Sequence, residues 1–97
     1  MEKDLVRRLE EAANRFVTPL RMNDGFDEQA LLHLQEEIDR CGSAWRKETH
    51  VPKRAALILA ELSPAIEACA WLYEGDMRQR IQEAGLAVSE AVIVALD

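Results

Sequence analysis

Apolar residues recur every three or four positions along four segments of this chain, which is the spacing of amphipathic α-helices rather than of strands. The first segment covers residues 2–17. Its apolar positions are Leu5, Leu9, Ala12 and Phe16. Thr18 and Pro19 follow, and the residue before a proline is pushed away from helical geometry. We therefore expect the first helix to end at about Val17.

The second segment begins after Asn23-Asp24-Gly25, a sequence typical of turns. Asp27 can accept a hydrogen bond from a free backbone amide, which predicts it as the N-cap of a helix that runs to about Lys47. The apolar positions of this helix are Leu31, Leu34, Ile38, Cys41 and Trp45. Gly42-Ser43 could end the helix early. Because Trp45 keeps the same spacing, we expect the helix to continue.

The third segment begins near Pro52, a residue suited to the first turn of a helix, and extends to Tyr73. Its apolar positions are Ala55, Ile58, Leu62, Ile66, Cys69 and Tyr73. Pro64 lies inside this pattern, where proline removes a backbone hydrogen bond and clashes with the preceding turn. The apolar face keeps its phase across Pro64, which predicts a kink rather than two helices. If the helix does break, Ser63 can cap the second piece.

The fourth segment follows the turn Glu74-Gly75, where Asp76 and Gln79 resemble a capping box. The apolar positions that predict its buried face are Met77, Ile81, Ala84, Val88, Ala91, Val92 and Ala95. Four helices of comparable length joined by short loops predict one domain over residues 1–97. The expected fold class is all-α, with the helices in an antiparallel four-helix bundle.

The fourth helix carries more apolar residues than one buried face requires. On a helical wheel, Leu86 and Ile93 fall nearly opposite Val88, and Val94 and Leu96 lie on the flanks. We call Leu86, Ile93, Val94 and Leu96 the outer stripe. They could be single exposed apolar residues, which are common on protein surfaces, or they could form a self-association interface. Residues 86–96 could also form a strand, since Ala-Val-Ile-Val has high β propensity.

The composition of the chain indicates which partners and which cellular location to expect. The chain is 48% hydrophobic and 31% charged, as in globular proteins, and its net charge of −6 disfavours binding to nucleic acid or to an anionic membrane surface. We expect no transmembrane helix, which needs about 20 apolar residues, and we expect no secretory signal. Cys41 and Cys69 lie on apolar faces and are interpreted as buried thiols, so the expected location is the cytoplasm.

Basic residues are concentrated in residues 45–54, which we call the basic corner. This segment holds four basic residues and one acid in a chain whose net charge is −6. Part of it lies at the predicted start of the third helix, where free backbone amides favour anions. Cations at the C-terminal end of the second helix are common, because they complement the helix dipole. Cations at the N-terminal end of the third helix are mildly unfavourable for the same reason. The predicted anion-binding or partner-binding residues are Arg46, Lys47, His50, Lys53 and Arg54.

Two short motifs resemble parts of enzyme families. Glu36-x-x-Asp39 is similar to half of the acidic motif of MazG-type nucleotide pyrophosphatases, which hold Mg²⁺ for phosphate chemistry. Arg46 and His50 are similar to the Arg-then-His motif of HEPN-type ribonucleases, but only three residues separate them here, where the family has four to six. Neither motif is complete. We predict no cofactor and no metal, with Glu36 and Asp39 as weak metal candidates.

Since no complete catalytic motif emerges, we expect a non-catalytic protein-interaction module of the adaptor, antitoxin-like or immunity-like kind. It would form a homodimer through the outer stripe, and its acidic surface would favour a basic protein partner. One alternative is a small all-α enzyme of phosphate chemistry, similar to a nucleotide pyrophosphatase or a ribonuclease. Another is a bundle that binds an apolar small molecule between the third and fourth helices.

Overall fold

The computed structural model describes the backbone of residues 2–97 and the side chains of residues 3–97. Its helices are α1 (Glu2–Arg21), α2 (Glu28–Trp45), α3 (Lys53–Cys69) and α4 (Gly75–Leu96). A short 3₁₀ helix, Ala70–Leu72, follows α3, and the described residues contain no strand. The prediction of an all-α, four-helix fold is confirmed. The alternative of a strand over residues 86–96 is wrong, because these residues continue α4 and bury Val88 and Ala95 in the core.

The starts of α2 and α4 show one capping prediction that succeeded and one that failed. Asp27 caps α2 as predicted, since its Oδ1 accepts a hydrogen bond of 3.1 Å from the Ala30 amide. In contrast, α4 begins at Gly75, and its N-cap Glu74 makes no capping hydrogen bond with its side chain. Asp76 therefore lies inside the first turn instead of at the cap. Its charge still complements the positive end of the helix dipole there.

Neither Pro19 nor Pro64 ends its helix. The prediction that α1 stops before Pro19 is wrong, because α1 continues through Pro19 to Arg21. Pro19 lies near the end of α1, where it disturbs few backbone bonds, and continuing the helix buries Leu20 completely. Pro64 likewise lies within α3, which remains one helix. The kink at Pro64 stays a prediction.

Each of α1 and α4 packs against both α2 and α3. The ion pair between Arg8 and Glu37 joins the first half of α1 to the middle of α2. Gly42, near the end of α2, lies against Ala95, near the end of α4. Thus α2 and α4 have their C-terminal ends side by side. Antiparallel packing is therefore not confirmed for every neighbouring pair of helices.

The core is one continuous cluster that all four helices share. Its large, fully buried apolar side chains include Leu9, Phe16, Leu20, Leu34, Ile38, Leu59, Ile66, Ile81 and Val88. Cys41 and Cys69 are buried free thiols, as predicted. Because helical spacing alone placed most of these residues on buried faces, the core follows directly from the apolar pattern of the chain.

The segment Lys53–Leu72 is long and apolar enough to cross a membrane by length and composition, with a mean hydropathy of 1.5. This corrects our expectation that no segment meets that criterion. In the structure, α3 buries Ala55, Leu59, Leu62 and Ile66 against the other helices. The helix of a bundle core passes the same test of length and composition. In the structure, 33% of this window is buried.

Candidate functional site

The outer stripe of α4 is exposed along its whole length. The exposed fractions are 59% for Leu86, 64% for Ile93, 74% for Val94 and 48% for Leu96. On the opposite side of the same helix, Val88 is fully buried. The helical wheel therefore assigned both faces correctly, and the outer stripe contributes little to the core of a single chain.

The C-terminal half of the outer stripe borders a groove between the ends of α2 and α4. This cavity, of about 390 Å³, has Val94 and Leu96 on one side and Trp45 and Val51 on the other. Polar groups, including Asp39 and the basic-corner residue Arg46, line it as well. The outer stripe thus continues into a groove that is lined by both apolar and polar residues.

Gly42 explains why the end of α4 lies so close to α2. A Cβ atom added to Gly42 would lie 2.9 Å from the Ala95 Cα atom, well inside normal contact distance. Only glycine allows this approach without a shift of the backbone. The sequence pattern had marked Gly42 as a possible helix end, whereas the structure uses it for packing between helices. This contact fixes the last turn of α4, which carries much of the outer stripe.

Three of the five basic-corner residues, Arg46, His50 and Arg54, have different surroundings. Arg46 lines the groove between α2 and α4, whereas His50 lines a different groove of about 620 Å³ beside Asp4 and Leu5 of α1. Arg54 forms an ion pair with Glu10 of α1. The other two residues, Lys47 and Lys53, are exposed. The side chains diverge because the segment comprises the end of α2, a connection and the first turn of α3.

The weak metal candidates are not joined by further ligands. Glu36 and Asp39 are exposed on α2. Among the described residues, no group of three or more His, Cys, Asp or Glu side chains is placed to hold a metal ion. Asp39 instead lies in the groove that also contains Arg46. The geometry therefore adds no support for metal-dependent phosphate chemistry at this pair.

Sequence reasoning missed Glu37, a buried carboxylate between α1 and α2. Glu37 is only 1% exposed. Its Oε2 atom lies 3.3 Å from Arg40 Nη1, and its Oε1 atom lies 3.8 Å from Arg8 Nε. Among the described residues Oε1 has no hydrogen-bond partner, a situation that costs about 1–3 kcal/mol or more for a buried polar atom. The available signal was its position, three residues after Leu34 on the buried side of α2.

A small polar cavity of about 200 Å³ lies beside this carboxylate. Its lining residues come from α1 and α2 and are Arg8, Glu11, Ala12, Arg15, His33 and Glu37. Glu37 is buried, whereas the other charged or titratable members are exposed at the rim. The cavity therefore combines a buried acceptor with cationic donors that solvent can reach.

The two thiols are poorly suited to act as nucleophiles. The pKa of Cys41 is raised from 9.0 to about 11, mainly by burial and also by the charge of Glu37, with a partial offset from Arg40. Burial also raises the pKa of Cys69. The reactive form of cysteine is the thiolate, so both side chains are predominantly in their unreactive form near neutral pH.

Comparisons of the chain with protein-family models, curated proteins and solved structures found no match. The basis for a functional proposal is therefore the surface and the buried polar groups of this chain.

Proposed function

We propose that this protein is a non-catalytic interaction module that self-associates through α4. The observation that carries the proposal is the exposure of Leu86, Ile93, Val94 and Leu96 on one helix. An exposed apolar patch of this kind is typical of protein–protein contact sites. A cytoplasmic location belongs to the same proposal, since Cys41 and Cys69 are unpaired thiols, which suit a reducing compartment.

The spacing of the outer stripe supports a second copy of the same chain as the occupant. Leu86 and Ile93 lie at equal distances from the midpoint between Ser89 and Glu90. If two α4 helices pair in opposite directions around a twofold axis at that midpoint, Leu86 faces Ile93 of the partner subunit. Glu90 then faces Ser89 of the partner subunit instead of another carboxylate. A symmetric dimer requires this kind of self-complementary surface.

The expected dimer is weak. Full burial of a Leu or Ile side chain contributes about 1.5–3 kcal/mol. Leu86 and Ile93 have roughly 60% of their surface still to bury, so each would contribute about 1–2 kcal/mol. Four such side chains in a dimer contribute about 4–8 kcal/mol, against an association cost of about 4–15 kcal/mol. Val94 and Leu96 must therefore join the interface for the dimer to form at moderate concentration.

Light scattering coupled to size exclusion tests self-association directly. Between about 10 μM and about 1 mM protein, we expect the mass to rise from 11.0 kDa toward twice that value. Ile93→Asp should keep the chain monomeric, because association would bury a carboxylate in the interface. The matched control is Leu57→Asp, since Leu57 is also about half exposed but lies in the groove between α1 and α3. A constant mass of 11.0 kDa, or equal effects of the two variants, would refute the proposal.

A basic protein partner is the second candidate, supported by the acidic residues beside the outer stripe. Glu83, Glu90 and Asp97 are exposed on the same side of α4. They would attract a partner whose apolar residues are bordered by Lys or Arg. A peptide of that composition should bind in a salt-dependent manner and should lose affinity for the Ile93→Asp variant. Binding that does not change with salt would contradict this candidate.

The other two functions receive less support from the geometry. An enzyme of phosphate chemistry at the basic corner would need its cationic side chains to converge, and they diverge. An apolar ligand between α3 and α4 would need space that is scarce at Gly85, where an added Cβ atom would lie 2.9 Å from Glu67 Cγ. Ser63 also donates a hydrogen bond of 3.0 Å to the Gly85 carbonyl across this contact.

A further inference from the structure

We propose that the small cavity beside Glu37 binds a small oxyanion that carries its own hydroxyl donor, such as monoprotonated or diprotonated phosphate or a small hydroxycarboxylate. This site lies between α1 and α2 and is independent of the outer stripe on α4. The proposal rests on three features of the cavity, which are an unpartnered buried acceptor, two guanidinium groups in the lining and a small volume.

The first feature is the buried Oε1 atom of Glu37, a residue of the cavity lining. The Glu37 side chain is 2% exposed, and the 3.8 Å from Oε1 to Arg8 Nε is too long for a hydrogen bond. No other donor among residues 3–97 reaches Oε1. A ligand that enters the cavity therefore meets a carboxylate oxygen that accepts a hydrogen bond. This requires the ligand to present an O–H or N–H group on that side.

The second feature is the charge around the cavity. Arg8 and Arg15 line it, and Arg40 contacts the other oxygen of Glu37. The lining itself is balanced in charge, with the guanidinium groups of Arg8 and Arg15 and the carboxylates of Glu11 and Glu37. Each carboxylate also has a cation outside the lining, since Arg40 lies 3.3 Å from Glu37 and Arg7 lies 4.0 Å from Glu11. With both carboxylates paired in this way, the guanidinium groups of Arg8 and Arg15 are the donors offered to a ligand, and guanidinium groups bind oxyanions with strong, directed hydrogen bonds. A ligand whose donor is an ammonium group would be repelled by the same guanidiniums, so a hydroxyl is the suitable donor.

The third feature is size. A cavity of about 200 Å³ has room for a single oxyanion group with a short substituent but not for a nucleotide. The hydroxyl of the ligand would donate to Glu37 Oε1, and its anionic oxygens would accept from Arg8 and Arg15. His33, at the rim on α2, can supply a further donor.

Comparing the affinities of phosphate and sulfate distinguishes this site from a basic surface without a buried acceptor. The two ions are similar in shape, but near neutral pH phosphate retains at least one proton and sulfate retains none. Sulfate therefore places an unprotonated oxygen against Glu37 Oε1, whereas phosphate donates a hydrogen bond to it. A site built around a buried acceptor should prefer phosphate, and a solvated cluster of arginines should prefer the ion of higher charge.

The test is a titration of the full chain followed by amide chemical shifts in NMR spectra, near pH 6.5 and at constant ionic strength. We expect phosphate to give saturable shifts around residues 8–15 and 33–37, with affinity at least about tenfold above that of sulfate. Glycolate compared with acetate is the second arm, and it separates a hydroxycarboxylate from phosphate as the preferred ligand. Glu37→Gln, which can donate a hydrogen bond to sulfate, should reduce the preference for phosphate at least about fivefold.

Arg15→Gln should weaken phosphate binding at least about tenfold, because it removes a guanidinium from the rim. The matched control is Arg21→Gln, since Arg21 is an exposed arginine of the same helix that does not line this cavity. Equal shifts with phosphate and sulfate, shifts that do not saturate, or equal effects of the two arginine variants would overturn the proposal. If Glu37→Gln does not fold, the proposal is still tested by comparing phosphate with sulfate on the unmodified chain and on Arg15→Gln. Ile93→Asp should bind phosphate normally, so failure of self-association leaves this test intact.

Discussion

Replacing Gly42 by alanine tests whether the backbones of α2 and α4 are in direct contact at their C-terminal ends. The added Cβ atom would lie 2.9 Å from Ala95 Cα and 3.2 Å from Ala95 Cβ. Normal separations between carbon atoms are about 3.5–4.0 Å. Because the obstacle is backbone, no side-chain rotation can relieve the contact. The two helices must move apart where Ala95 and Trp45 are now buried.

Two opposing effects set the size of the change. Alanine is preferred over glycine in a helix interior by about 1 kcal/mol, which favours the variant. Overpacking a closely packed contact costs about 1–3 kcal/mol, which disfavours it. We expect Gly42→Ala to lower the free energy of unfolding by about 1 kcal/mol on balance. For a domain of this size, that corresponds to a fall in Tm of about 4–8 °C.

Gly85→Ala provides the matched control. Its Cβ atom would also meet a neighbour at 2.9 Å, but that neighbour is Cγ of Glu67, an exposed side chain that can turn aside. The helix preference for alanine should then dominate, so this variant should be neutral or more stable by up to about 1 kcal/mol. Urea unfolding and calorimetry measure both variants. If Gly42→Ala is as stable as the original chain or as Gly85→Ala, the close approach of α2 and α4 is not a fixed contact.

Two further predictions concern a partly buried hydroxyl and a buried thiol. The Tyr73 hydroxyl donates a hydrogen bond to the Leu20 carbonyl and accepts one from the Gly25 amide, both at 3.0 Å. Tyr73→Phe should therefore lower the free energy of unfolding by about 1–2 kcal/mol, measured by urea titration. An unchanged urea midpoint would contradict this role. Because the pKa of Cys41 is raised from 9.0 to about 11 in the fold, its contribution to stability is complete below pH 9.0 and is lost as the pH rises toward about 11. The loss of stability between about pH 8 and about pH 10.5 should be smaller in Cys41→Ala, and an equal loss would show that the thiol does not contribute.

The sequence by itself determined the four helices and most of their buried faces, because these depend on local spacing and local capping. Asp27 caps α2 through an amide only three residues away, and Leu34, Ile38 and Cys41 are buried as their spacing predicts. The exposure of the outer stripe followed from the same geometry, since a residue opposite the buried face of a peripheral helix faces outward.

Tertiary contacts decided the features that depend on a neighbouring helix. Continuation of α1 through Pro19 was not predictable from the local signal, because it reflects the burial of Leu20 among residues distant in the chain. Tyr73 extended the predicted apolar face of α3, yet the helix ends at Cys69, and Tyr73 instead joins the loop after α1 by two hydrogen bonds. The local sequence at Gly42 is typical of a helix end, but α2 continues through this residue, and Gly42 packs against Ala95 of α4.

The position of Glu37 shows the same dependence most directly. Glu36, Glu37 and Asp39 are all acidic residues of one helix, and nothing in their local sequence marks one of them as a buried ion-paired group. Glu37 is buried because α1 packs over that side of α2 and brings Arg8 near its carboxylate. Helix formation is a local property, whereas the burial of a charge depends on which helices meet. The sequence therefore determined the helices and the outer stripe, and only the packing of α1 on α2 created the cavity beside Glu37.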